Sequence, residues 1–510
     1  MTFQQLLDGV EVLAQAGDAE VSGVEYDSRR VQPGCLFVAM QGESSDGNKF
    51  IAAAVAAGAV AVVSDAPSFV PPTGIAAWAR AAHGRRALAR LSANFYQRPA
   101  ENLAITGITG TNGKSTTAYL IESILQAVGR SAALVGTIEY HVAGKVLPAP
   151  HTTPESLELN RMFAEARQAG ASEVVMEVSS HALAQERTFG IPFDVAVFTN
   201  LTRDHLDYHH TFEEYFAAKQ KLFEGCGTEP PRVAVLNLDD EYGARLVPLS
   251  RKKKSQVVGY GLARGEFCAR DVEITPRGTR FRMITPLGDL PIFSPLIGKI
   301  NVYNVLAAAA AGWARGCNGD GIARGVGALA RVPGRFELVD CGQPFTVVVD
   351  YAHTDDALRN LTALAREFVS RGQHKARVIT LFGCGGDRDR AKRPLMGEAA
   401  GVGSDFVVLT SDNPRSEDPL TIINDALTGL QRTETRYVTE PDRRKAILLA
   451  LGEARAGDLV LLAGKGHEKV QVTRAGSAPF DDVEVARAAL VTLGYCEEAS
   501  PASRAVGSDS

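Results

Sequence analysis

Residues 105–117 read ITGITGTNGKSTT. A phosphate-gripping loop is built as Gly, four residues, then Gly-Lys-Ser/Thr, so that backbone N–H groups and the lysine converge on an anion. Here Gly113-Lys114-Ser115 is in place, but Ile108 stands where the leading Gly belongs, with Gly107 and Gly110 on either side. Strand-like NLAITGI precedes the loop and helical AYLIESILQAV follows it, which is the context phosphate binding needs. Gly110, Thr111, Asn112, Gly113, Lys114, Ser115 and Thr116 are therefore expected to hold a nucleotide, with the Ser115 hydroxyl reaching a magnesium ion. The alternative is a plain strand–helix turn with an exposed lysine. The compressed spacing marks a relative of the common P-loop enzymes.

Other residue types invite chemistry further along. Glu177 ends the apolar run EVVMEV, where a carboxylate can hold magnesium directly or through water, or simply cap or pair. DHLDYHH (204–210) packs two Asp and three His into seven residues. No partner ligands stand elsewhere at zinc-like spacing, so a polar loop with His205 facing nucleotide and magnesium is the favoured reading. Lys219, in EEYFAAKQKLF, reads from its spacing as a surface lysine. SDNPRSEDP (411–419) carries Arg415, suited to a bidentate grip on a carboxylate. GCGGDRDR (383–390) adds Arg388 and Arg390, while RKKK (251–254) reads as a solvated face.

These residues need strands behind them. Short β-rich runs alternate with helical stretches in two blocks, the signature of parallel sheets with helices on both faces. The runs are NLAITGI, EVVMEV, DVAVFT and RVAVLN, then FTVVVD, RVITLF, DFVVLT and DLVLLA. Polar, Gly-rich tips follow them: GTNGKST, SSH, NLTRDH, YAHT, GCGGDRDR, SDNPR and GKGHE. Ligands in open α/β sheets bind beyond the carboxyl ends of strands, so two ligand-binding sheets facing across a cleft are expected. A first block at 1–98 ends in an Ala/Arg-rich helix before Pro99, and LAAAAAGWA (306–314) reads as a buried helix. The expected divisions are 1–98, 99–332, 333–495 and a tail at 496–510 whose small, polar residues predict disorder.

Composition narrows the class. The 510 residues are 45% hydrophobic and 22% charged, ordinary for a globular protein. A net charge of −5 argues against nucleic acid as partner. Seven scattered cysteines without CxxC spacing suggest a reduced compartment, with no disulfide framework and no zinc cluster. MTFQQLLDGV lacks the layout of a signal peptide and no apolar run is long enough to span a bilayer, so a cytoplasmic location is expected.

Ten motifs in order carry a resemblance: GTNGKST, HTTP (151–154), EVSSHAL, NLTRDHLDYH, NVYNVLAA, PGRFE, DYAHT, GCGGDRDRAKRPLM, DNPR and GKGHE. Over nearly the whole chain the sequence is similar to the Mur ligases, and within them to the diaminopimelate-adding branch. The resemblance implies three α/β domains: a UDP-substrate-binding first domain, a central P-loop-type parallel sheet, and a C-terminal Rossmann-like sheet binding the amino acid. It implies a monomer that uses ATP and Mg2+ in peptidoglycan synthesis. ATP would phosphorylate the D-glutamyl carboxylate of UDP-N-acetylmuramoyl-L-alanyl-D-glutamate, and the amine of meso-diaminopimelate would displace phosphate.

Residue roles follow the matching motifs. Lys114, Glu177, His205 and Lys219 would be catalytic, with Ser115, Glu177, His205 and a carbamylated Lys219 around the metal. Asn304, Arg335 and Asp350 would contact adenine, γ-phosphate and ribose. Ser28, Glu43, Ser44, Ser45, Thr152, Thr153, Ser179, Gln185 and Arg187 would hold the muramoyl substrate. Arg388, Asp412, Asn413, Pro414, Arg415, Gly464 and Glu468 would form the diaminopimelate pocket; lysine-adding relatives lack the Arg. Two positions depart from the family. Asp355 replaces a usual Pro, which is expected to free an N–H and loosen that loop, and His151 stands where an Asn-like residue is common. The competing readings are a lysine-adding homologue, a folylpolyglutamate synthase-like ligase, and an ATP-driven switch without ligation.

Overall fold

The computed structural model describes residues 1–43, 45–370 and 376–495; Ser44 and the tail expected at 496–510 lie outside them. Three larger sheets follow one another along the chain. The first has five strands in the order Val12–Gly17, Ala77–Ala81, Ala61–Ser64, Cys35–Ala39, Gly23–Glu25, antiparallel only at the first pair. Helix Gly84–Phe95 lies over it, burying Ala87, Leu88 and Leu91 against Leu36, Val38 and Val63.

The central sheet has eleven strands. Ala104–Thr109 lies in its middle, flanked by Glu173–Glu177 and Phe193–Phe198, all parallel. The chain crosses from one side of the sheet to the other at this strand, and an α/β sheet opens a crevice where its order reverses in this way. Both faces of the strands are apolar, as fully covered parallel strands require. Ala307 to Ala311 are all fully buried, so helix Lys299–Ala314 packs tightly against helix Lys114–Ala127, as the Ala-rich run suggested. The sheet is not parallel throughout: Gly278–Thr285 and Gly288–Ser294 extend one edge antiparallel, and Glu139–Val142 and Lys145–Pro148 the other.

The third sheet has six strands in the order Glu337–Leu338, Thr346–Asp350, Leu459–Ala463, Val378–Cys384, Phe406–Ser411, Arg436–Glu440. Only its first pair is antiparallel, so the tips of the four strands read from sequence all leave at one end. A hairpin, Val470–Thr473 with Gly476–Pro479, leans on one tip, since Arg415 N donates to Val472 O at 3.0 Å. Cys35, Cys226, Cys268, Cys317 and Cys384 are free thiols. No described helix is long and apolar enough to cross a membrane.

Candidate active site

The phosphate loop leaves the middle strand with Gly110 at φ +150° and Gly113 at φ +87°, the left-handed region where glycine is at ease. Both also lack room for a side chain. A Cβ on Gly110 would lie 1.8 Å from Thr199 Oγ1, and one on Gly113 2.4 Å from Asn304 Oδ1. Gly113 caps helix Lys114–Ala127, so three orphan N–H groups of that helix open at the loop. Lys114 Nζ donates to the carbonyls of Gly110 and Thr111 at 3.1 and 2.8 Å. Burial pushes its ammonium below the ordinary lysine value.

Glu177 sits at the end of the neighbouring strand, 1% exposed. Thr137 pins it: its N–H donates to Oε1 at 2.8 Å and its hydroxyl to Oε2 at 2.9 Å. Thr111, Asn112, Gly113, Lys114, Ser115, Thr116, Glu177, His205, Asn304, Arg335 and Asp350 line one cavity of about 240 Å³. Arg335 reaches it from the third sheet, its Nη2 donating to Ser115 Oγ at 3.4 Å. Asp350 accepts from Phe336 N at 2.7 Å and Ala352 N at 2.8 Å, so its carboxylate also shapes its own loop. Burial pushes its pKa up.

His205 stands at φ +53°, and its Nε2 lies 3.4 Å from Asp204 Oδ2. Burial depresses its pKa to about 3, so the imidazole is neutral and able to offer a lone pair. Among the described residues, no three His, Cys, Asp or Glu side chains gather as a metal cage. A hard cation needs no such cage, since a few protein oxygens can share it with phosphate and water.

Lys219 is not a surface lysine. Helix Phe212–Glu224 turns that face inward, leaving the side chain 1% exposed. Nζ donates to Gly110 O at 2.7 Å and lies 4.6 Å from the Tyr215 ring centroid. Burial, then the nearby Lys114 charge, holds its pKa well below the ordinary lysine value. The sequence spacing carried no sign of this, because the burying contacts are long-range.

A second cavity, about 1050 Å³, is lined by Thr152, Thr153, Ser179, Arg187, Arg388, Asp412, Asn413, Arg415, Gly464 and Glu468. It shares with the first a wall of Thr137, Thr152, Ser179, Asp204, His205, Tyr351 and His353. Lys114 and Arg415 thus open onto adjoining chambers of one crevice. Arg187 Nη1 donates to Thr153 O at 3.1 Å, and its Nε to Gln185 Oε1 at 2.9 Å. Pro414 is buried beside the loop's lining residues.

Three family models cover the chain in order: "Mur ligase family, catalytic domain" at residues 20–96, "Mur ligase middle domain" at 108–312 and "Mur ligase, glutamate ligase domain" at 334–466. The chain belongs to the Mur ligase family. It is 57% identical to the UDP-N-acetylmuramoyl-L-alanyl-D-glutamate–2,6-diaminopimelate ligase of Solibacter usitatus, over 97% of this chain and 99% of that one. The ligase of the same name from Geobacter metallireducens is 46% identical over 93% and 95%. A solved structure under that name superposes with a TM-score of 0.64 at 34% identity, covering 93% and 95%. A folylpolyglutamate synthase of Mycobacterium tuberculosis, solved with ADP, shares the fold at TM-score 0.61 and 19% identity, over 80% of this chain and 95% of that one.

Against the Mur ligase expectations, three points need correction or addition. Asp355, in place of the usual Pro, opens helix Asp355–Ser370, pairs with Arg359, and follows Thr354, whose hydroxyl accepts from Ala357 N at 3.2 Å. Ser28, Glu43 and Ser45 line neither cavity. Ser28 lies in the turn after Gly23–Glu25, and Ser45 is exposed; Glu43 does reach the central sheet's loops, accepting from the Tyr208 hydroxyl. His151 lines the larger cavity and accepts from Tyr140 through its carbonyl. Sequence reasoning passed over Thr137, Asp204, His353, Lys392 and Lys465. Four of these stand inside quoted motifs; Thr137 stands in VGTIE, where nothing marks it.

Proposed function

We propose that this Mur ligase joins meso-2,6-diaminopimelate to the D-glutamyl carboxylate of UDP-N-acetylmuramoyl-L-alanyl-D-glutamate at the expense of ATP. The carrying observation is the shared wall, which lets a triphosphate, an acid and an amine meet. A carboxylate is a poor electrophile. An oxygen of it attacks the γ-phosphorus, ADP departs, and the resulting acyl phosphate accepts the amine at carbon, releasing phosphate.

The residues divide that work. Lys114 and the opening N–H groups of its helix hold the phosphates, and Arg335 meets the γ-phosphate as charge develops there. Asn304 and Asp350 take adenine and ribose. Ser115 and Glu177 offer hard oxygen donors that suit Mg2+, which would neutralise the phosphate oxygens when bound. His205 is a further donor. Lys219, a buried amine whose pKa burial holds well below the ordinary lysine value, would take up CO2 as a carbamate, becoming a carboxylate-like ligand. Thr152, Thr153, Ser179, Gln185 and Arg187 orient the muramoyl substrate between the chambers, and Ser28 with Glu43–Ser45 takes its uridine end. In the outer chamber Arg388 and Arg415 receive the distal carboxylate of diaminopimelate, while Asp412, Asn413, Glu468 and the Gly464 carbonyl receive its ammonium.

The test is phosphate release with each component omitted in turn. Release that needs both the UDP-muramoyl-dipeptide and meso-diaminopimelate, with L-lysine a poor substitute, supports the ligase. Release indifferent to both supports an ATP-driven switch, and release with lysine as good an acceptor removes the diaminopimelate assignment.

A further inference from the structure

Beneath the outer chamber lies a charged group that the reaction above does not use. Lys465 is 0% exposed and lines neither cavity. Its Nζ donates to Asn413 Oδ1 at 3.1 Å and to Glu468 Oε2 at 3.2 Å, and it lies 3.8 Å from Asp412 Oδ1. Asn413 closes the triangle, its Nδ2 donating to the same Glu468 Oε2 at 2.7 Å. Its Oδ1 also accepts from Val472 N at 2.9 Å, which ties the triangle to the hairpin. Both bonds to Glu468 fall on Oε2, so Oε1 stays outside the triangle and is the oxygen available to a ligand.

We propose that Lys465 is a positioning residue for the amino-acid substrate: its buried ammonium aims Asn413 and Glu468 and, with both carboxylates ionised, leaves the Asp412–Glu468–Lys465 cluster with a single net negative charge. The inference rests on the outer-chamber reading given above. Two carboxylates converging in a half-buried place tend to share one proton, and the protonated one is then a poor acceptor for an ammonium. A lysine beneath them removes the need for that proton. Both carboxylates stay ionised, and one net negative charge matches one incoming ammonium. Burial, then Asp412, pushes the Glu468 carboxyl up, against the pull of Lys465. The other charged or titratable groups around Glu468 include its chain neighbours His467 and Lys469, Arg388 across the cavity, Arg415 on the Asn413 loop, Tyr351 after strand Thr346–Asp350, and Arg443 behind the strand ends. Of these, Arg415, Tyr351 and Arg443 feel both carboxylates electrostatically, but Lys465 is the group seen in direct contact with both.

The experiment is the pH profile of kcat/KM for meso-diaminopimelate in Lys465→Met and Lys465→Gln. Both variants should raise the KM for diaminopimelate roughly tenfold or more, leave the KM for ATP within about twofold, and move the acid limb of the profile to higher pH. Gln keeps hydrogen-bonding capacity but not charge, so a parental profile in Lys465→Gln overturns the charge role. Adding Asp412→Asn to Lys465→Met restores a single carboxylate, and the acid limb should return towards the parental position. A merely structural lysine predicts no return, only further loss, and that outcome also overturns the proposal. Parental values in every variant overturn it while leaving the outer-chamber reading intact. A parent enzyme indifferent to diaminopimelate removes both.

Discussion

Arg415→Ala should raise the KM for meso-diaminopimelate by about 30-fold while leaving that for ATP unchanged. Arg415 stands at φ +52°, half-buried, with Nη1 donating to Gly386 O at 2.6 Å. Burial first, then the nearby Arg388, lowers its pKa, so the guanidinium sits where an anion would relieve it. Alanine at this position carries the same left-handed backbone, so the variant removes the charge without altering the strain. Truncating one member of a buried charged pair costs about 2–5 kcal/mol. Partial exposure places Arg415 at the lower end, and about 2 kcal/mol corresponds to roughly 30-fold in affinity. The assay is steady-state phosphate release with one substrate varied at a time, repeated with L-lysine. Lysine lacks the distal carboxylate, so its weak use should be nearly unaffected and the preference should narrow. Equal increases in both KM values, or an unaltered preference, would refute the pocket assignment.

Three further outcomes follow from buried groups. Enzyme in 13C-bicarbonate should show a carbamate resonance that disappears in Lys219→Ala; active parent enzyme without that resonance would refute the modification. Asp482→Ala strands the Arg443 guanidinium, which Asp482 holds at 2.8 and 2.6 Å with both side chains 0% exposed. Unfolding stability in urea should fall by about 3–5 kcal/mol, and a loss below about 1 kcal/mol would contradict the buried-pair reading. His141 is held by Glu122 at 2.8 Å and Glu139 at 3.1 Å, and the Glu122 hydrogen bond leads in raising its pKa to about 9. A raised folded pKa stabilises below the unfolded value, near 6.5, and the benefit is lost as pH rises through 9. Parent should therefore exceed His141→Gln in stability by up to about 3 kcal/mol at pH 6 and converge with it above pH 9; parallel curves would contradict this.

The eight strands read from apolar runs all stand in the structure, because fully covered parallel strands advertise themselves by continuous apolar stretches. The antiparallel edges were not legible: Gly278–Thr285 alternates, with Thr279, Phe281 and Met283 inside and Arg280 and Arg282 outside, but it sits among turns that blur the pattern. Arg436–Glu440, an edge strand with mostly exposed residues, has no apolar run to find. Within the site, the phosphate loop was legible because glycine positions and the lysine are dictated locally. Lys219 and Thr137 were not, since their roles come from partners 109 and 40 residues away. At Asp355 the loss of proline was visible in the sequence, but the pairing with Arg359 is a feature of the folded helix.

The central claim is that the carboxylate is activated by phosphate transfer inside one crevice. It is tested most directly by following 18O from the D-glutamyl carboxylate of the UDP-linked substrate during a single turnover with ATP and meso-diaminopimelate. Acyl phosphate formation carries one carboxylate oxygen into the released phosphate, and 31P NMR should show that phosphate shifted by a single 18O. Unlabelled phosphate released in step with product would contradict the account.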